Sequence, residues 1–187
     1  EINARNEWNY IQHLDTASYA KEYADAFRVF YNAIRSINGN ARVYISLDQQ
    51  WGKSLYSNNG YGSKDVLDAF NKYLKEYGNI DWGVAYHPYN YPLTSAKAWS
   101  TSGKAGSYVL DSETSPVITI RNIHVLTDYL QKEEYLTEDG NIRHVILSEM
   151  GYTSSAGQDL QAASFVYAYK IVEANSHIDS MLFTRQT

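Results

Sequence analysis

The chain has 187 residues, 44% hydrophobic and 20% charged, with a formal net charge of −5, which fits one ordinary globular domain. That acidic balance argues against a nucleic-acid partner, which is met by basic patches. No run of like charge marks a tail or a membrane-surface helix, and no apolar run approaches the roughly 18 residues of a membrane span.

Cysteine is absent, which removes disulfides, thiolate zinc sites and a cysteine nucleophile without fixing the compartment. The chain starts at Glu1, without methionine or signal peptide, and the expectation is a processed or excised piece of a longer protein. The compositional oddity is 18 tyrosines and 4 tryptophans. Rings with a polar tip suit surfaces that are half apolar and half wet, as sugar-binding clefts are, although most such residues in any protein simply pack.

Helical and strand patterns alternate along the chain. Tyr19, Tyr23, Phe27, Phe30, Ile34 and Ile37 recur at three- and four-residue steps and predict an amphipathic helix, stopped by Asn38-Gly39-Asn40. Val43 to Leu47 reads as a short buried strand ending at Asp48-Gln49-Gln50-Trp51. A loop follows, and Ser63 is expected to cap a second helix carrying Val66, Leu67, Phe70, Tyr73, Leu74 and Tyr77, with Gly78 as its stop. Asp81 to Tyr86 predicts a second strand running into His87-Pro88-Tyr89, where proline cannot donate to a ladder. The stretch from about Asn90 to Pro116 reads as a long loop, a length that is usually functional or disordered. Ile120, Ile123, Leu126 or Thr127, and Leu130 mark a third helix. The run Val145-Ile146-Leu147 is a third strand, Leu160, Ala163, Tyr167, Ile171 and Ala174 a fourth helix, and 179–184 a last short strand. Alternation of this kind calls for parallel strands with right-handed crossovers.

The residue that stands out chemically is Glu149, just past the third strand in Ser148-Glu149-Met150-Gly151-Tyr152. An ionised carboxylate is too costly to desolvate inside such a strand, but at its exit it is held rigidly and still faces a cleft. The opening Glu1-Ile2-Asn3 also looks like a strand exit. No GxGxxG or GxxxxGK[ST] follows a strand, no HExxH or close histidine pair occurs among His13, His87, His124, His144 and His177, and no GxSxG elbow is present. Nucleotide, metal and serine-hydrolase chemistry therefore lose ground, and no metal or cofactor is expected.

These pieces resemble the C-terminal half of a retaining glycoside hydrolase of the large (β/α)8 clan that includes cellulases, xylanases and β-galactosidases. In that clan an Asn-Glu ending strand four supplies the acid/base, and a Glu ending strand seven is the nucleophile. Ser148-Glu149-Met150-Gly151-Tyr152 is similar to the second motif. Glu1-Ile2-Asn3 is similar to the first, except that its preceding Asn would lie before residue 1. His87-Pro88-Tyr89 falls where the clan often places partners of the nucleophile. The resemblance implies an α/β fold, a (β/α)8 barrel present as units four to eight, with 187 residues short of the roughly 200 or more of a complete barrel. Residues 1–187 then form a single partial barrel whose open edges invite self-association.

Function follows from the same resemblance: hydrolysis of glycosidic bonds in a polysaccharide or oligosaccharide, with Glu149 as nucleophile and Glu1 as acid/base. Glu7 replaces Glu1 if the first strand's register is six residues later. His87 and Tyr89 are expected to hydrogen-bond Glu149. Trp51 and Trp99 are candidates for stacking on sugar, and Asp48, Gln49, Arg185 and Gln186 for binding its hydroxyls, while Trp82, early in its strand, reads as core. The implied partner is a carbohydrate substrate, with no nucleic acid or membrane, in an extracellular or cell-surface setting. Two rivals remain: a non-catalytic carbohydrate-binding or scaffold barrel on the same fold, and an unrelated α/β enzyme in which Glu149 is buried against Arg or Lys away from any cleft.

Overall fold

The computed structural model describes residues 1–4, 13–52, 55 and 60–184. In chain order the elements are α1 (Thr16–Ile37), β1 (Val43–Asp48), α2 (Ser63–Glu76), β2 (Trp82–His87), α3 (Gly103–Tyr108), α4 (His124–Tyr129), β3 (Val145–Leu147), α5 (Gln158–Glu173) and β4 (Ser180–Met181), with single 3-10 turns at Ile120–Asn122 and Glu133–Tyr135. The four strands form one parallel sheet in the order β1-β2-β3-β4. Neighbours in sequence are thus neighbours in space. Right-handed crossovers between strands added in one direction bring each crossover to the same side of the sheet, without the strand-order reversal of a doubly wound fold.

Burial follows that arrangement. Ile45, Leu47, Trp82, Val84, Tyr86, Val145 and Leu147 are all 0–1% exposed and alternate along their strands, so they share one face. They belong to one apolar cluster with α1 and α2, in which Phe27 meets Phe70 edge-on at 5.1 Å and Phe70 meets Trp82 edge-on at 5.2 Å. On the opposite face Tyr44, Ser46 and Ile146 are only half-buried, and the residues between them are small. Gly83 is required there: a Cβ on it would lie 2.6 Å from the Tyr44 ring and 2.8 Å from the His144 carbonyl oxygen. Gly83→Ala is expected to cost about 1–3 kcal/mol through overpacking, read as a lowered urea midpoint with an unchanged slope.

The helices differ from expectation in informative ways. In α1 the buried set is Tyr19, Ala20, Ala24, Phe27 and Tyr31, whereas Phe30 and Ile37 are 67% and 90% exposed. The apolar face predicted through Phe30, Ile34 and Ile37 turns away from the core, and Ala20 and Ala24, both 0% exposed, stand in the buried face beside Tyr19, Phe27 and Tyr31. Ser63 is not a cap; Gly62 holds the N-cap position, and the Ser63 backbone N–H donates to the Gln50 carbonyl at 2.8 Å. The third helix is broken into a 3-10 turn and the six-residue α4.

The stretch 90–116 is neither bare nor loose: it contains α3 and is tied down along its length. Trp51 Nε1 donates to the Glu113 carbonyl at 3.0 Å, Gly52 N to Pro116 O at 3.1 Å and Ile118 N to Gln49 O at 2.9 Å. Asn122 Nδ2 donates to the Leu110 and Val117 carbonyls at 2.7 and 3.1 Å. Backbone groups in so long a connection need such partners when buried.

Candidate active site

The strand exits bring together the groups that matter. Residues 1–3 lie along the outer edge of β1: Ile2 N donates to Ser46 O at 3.2 Å, and Tyr61 N donates to Asn3 O at 2.8 Å. Asn3, 0% exposed, makes a reciprocal pair with Asp48, its Nδ2 donating to Oδ1 at 2.7 Å and its Oδ1 accepting from Asp48 N at 3.0 Å. This clamp turns the Glu1 side chain over the end of the sheet. His87 ends β2 and is 7% exposed. Its Nδ1 lies 3.1 Å from Glu1 Oε1 and 3.5 Å from Glu149 Oε2, and its Nε2 lies 3.0 Å from Ser148 Oγ.

Tyr89, two residues beyond β2, donates its hydroxyl to Glu149 Oε1 at 2.6 Å. Burial first, and then this bond to Glu149, push the Tyr89 hydroxyl well above its usual range, so it remains a neutral donor. The Glu149 and Glu1 side chains are 35% and 25% exposed, half-open to a reacting partner. Glu149 is therefore held by a tyrosine and faced by a histidine at an open sheet end; among the described residues no Arg or Lys pairs with it.

Several expected sugar contacts sit elsewhere. Trp51 is 0% exposed and packs edge-on against Tyr129 at 5.1 Å; it is core, with no face left for a sugar ring. Asp48 is also turned inward: Oδ1 takes the Asn3 amide and, at 2.9 Å, the Gln50 N–H, while Oδ2 takes the Gln50 side-chain amide. Burial pushes its carboxyl above the ordinary range, and its lone pairs serve the fold. Gln49 is 3% exposed, at the junction with the 90–116 stretch. Trp99 is 37% exposed but leans edge-on against Tyr167 of α5 at 5.9 Å, and its neighbour Ala98 is bonded to Ser164 of α5. Arg185, Gln186 and Glu7 lie outside the described residues.

Ser148 and Asn3 are the members that sequence reasoning passed over. Ser148 had a signal: with Val145 and Leu147 turned to the helices, alternation puts Ile146 and Ser148 on the other face, with His87. Asn3 had none, because nothing local says that it pairs with a residue 45 positions away.

A four-stranded parallel sheet with two carboxylates and an imidazole gathered at its C-terminal strand ends makes this a mixed α/β protein with its polar cluster where such sheets hold their sites. The chain belongs to the Family of unknown function (DUF5722), whose profile matches residues 1–187. No curated protein and no solved structure matches it.

Proposed function

We propose that this protein is a retaining glycoside hydrolase acting on a polysaccharide or oligosaccharide, built on a (β/α)8 barrel of which these residues supply about the C-terminal half. The observation that carries the reading is the pairing of Glu1 with Glu149 across His87, an oxygen of each lying within 4.8 Å of the other and of the imidazole. Carboxyl groups about 5–5.5 Å apart suit a covalent glycosyl-enzyme route, whereas inverting pairs stand about 6.5–9.5 Å apart to admit water. The sequential parallel sheet, with one face packed by helices and the other carrying small residues, fits a barrel segment.

In this reading Glu149, held in place by the Tyr89 hydroxyl, attacks the anomeric carbon from one side of the sugar. Glu1 gives its proton to the glycosidic oxygen, and the leaving sugar departs with it. Water then enters, Glu1 takes back a proton from it, and the ester to Glu149 is cleaved. His87 touches both carboxylates and sets their separation. Glu1 stands on β1's edge through the Asn3–Asp48 clamp, so the acid and the nucleophile are referenced to the same sheet.

A panel of aryl glycosides offered to the full-length protein tests the reading through release of the phenol. Tyr89→Phe is expected to lower kcat about a hundredfold, the scale of losing one preorganised donor at a charged centre, with thermal stability nearly unchanged. Saturable sugar binding with no phenol released from any substrate would point instead to the non-catalytic barrel. Among the described residues no helix is long and apolar enough to cross a membrane.

A further inference from the structure

The cluster has a second capacity, visible in its donor atoms. His87 Nδ1, one oxygen of Glu1 and one of Glu149 lie within 4.8 Å of one another. The imidazole is buried, and Ser148 at Nε2 fixes the ring so that Nδ1 faces the two carboxylates. The Glu149 oxygens are divided: Oε1 takes the Tyr89 hydroxyl, while Oε2 faces the histidine. We propose that Glu1, His87 and Glu149 form a binding site for one late first-row divalent cation, with Zn2+ the ion that fits.

The metrics support this. Two donors held about 2.1 Å from a tetrahedral ion stand about 3.4 Å apart, and the Nδ1-to-carboxylate distances are 3.1 and 3.5 Å. The remaining separation, between the carboxylates, closes through rotation of two half-exposed glutamates whose backbones stay on the sheet. One nitrogen and two oxygens suit zinc and its neighbours, whereas magnesium and calcium favour all-oxygen shells. Three protein ligands leave a fourth position open. Ser148 supplies the outer contact that such a histidine ordinarily makes, and a divalent charge offsets the repulsion between carboxylates held this close.

Binding rests on the cluster's geometry alone. Its consequence rests on the glycosidase reading: a bound ion occupies the lone pairs with which Glu149 attacks and Glu1 exchanges its proton, so zinc acts as a reversible inhibitor competing with sugar.

The experiment uses the full-length protein stripped with a chelator and dialysed free of it, titrated calorimetrically with ZnCl2 and, in parallel, with CoCl2 followed by visible absorption. One ion per chain is expected, with cobalt giving a low-symmetry visible band. His87→Ala and Glu149→Gln should each weaken zinc binding at least about tenfold, and Ser148→Ala by about tenfold to a hundredfold. His177→Ala, a histidine outside the cluster, should leave it unchanged. If His87→Ala does not fold, Glu149→Gln carries the comparison, since that side chain is half-exposed and lies outside the core. Absence of saturable binding, or one-to-one binding that neither cluster variant weakens, overturns the proposal. No sugar is present, so that outcome leaves the glycosidase reading standing, and failure to find turnover leaves the zinc result standing.

Discussion

Glu149→Gln in the full-length protein is expected to lower glycoside turnover by roughly 10⁴-fold or more, the scale of removing a nucleophile, while folding and sugar binding stay nearly intact. The amide keeps the side chain's shape and still accepts the Tyr89 hydroxyl, but it cannot form the glycosyl ester. Glu149→Gly should differ in a diagnostic way: it leaves room for azide, and added azide should restore turnover and give a glycosyl azide of inverted anomeric configuration. The glutamine variant should respond much less, because its side chain still fills the space. Turnover unchanged in Glu149→Gln would end the nucleophile assignment and bring the binding-domain reading forward.

Arg143→Met should lower stability by about 3–4 kcal/mol. The guanidinium is 1% exposed and lies over the Trp82 ring at 4.5 Å. Its Nε donates to the Tyr135 carbonyl at 2.8 Å, Nη1 to the Ile80 carbonyl at 2.9 Å, and Nη2 to the Leu136 carbonyl at 3.3 Å and to Asn79 Oδ1. All four acceptors are neutral. Burial draws the Arg143 pKa down to about 10, which still leaves it charged at neutral pH. Methionine fills much of the same volume over Trp82 but strands the Tyr135 and Ile80 carbonyls and leaves Leu136 O only the Asn79 amide at 3.4 Å. Lysine at this position should recover little, since one ammonium cannot reproduce a planar fork. Urea unfolding reads the effect; a loss under about 1 kcal/mol would mean that the connections at this end of the sheet hold themselves in place.

Periodicity located all four strands and the long helices, because each carries an apolar pattern that its own residues determine. It misjudged which side of α1 is buried. There, two apolar faces coexist, and the choice between them is made by partners distant in sequence: Phe70 against Phe27 and Tyr61 against Tyr19. The broken third helix is a similar case: Asn122 satisfies the loop carbonyls of Leu110 and Val117, and an apolar pattern carries no sign of such polar bonds. At the site, Glu149, His87 and Tyr89 were found from strand-exit position and from resemblance, and they do converge. Trp51, Asp48 and Gln49 follow one strand exit too, yet they turn inward. Position at a strand end says that a residue is near the rim, while the direction of its side chain depends on long-range partners such as Asn3 and Glu113.

The ladders thin steadily across the sheet. Six residue pairs join β1 to β2, from Val43↔Trp82 to Asp48↔His87; three join β2 to β3; and two join β3 to β4. Glu149 thus hangs from the side with the shorter ladders, steadied by Tyr89 and His87 and by the backbone bonds Ser148 N to Tyr86 O at 3.1 Å and Thr184 N to Met150 O at 3.0 Å. Local openings in proteins begin where ladders are short and contacts few. Warming should therefore release β3 and β4 while β1 and β2 remain paired, parting the two carboxylates. The cluster would come undone as a hinge does, one leaf still fixed, at a temperature below that at which the molecule unfolds.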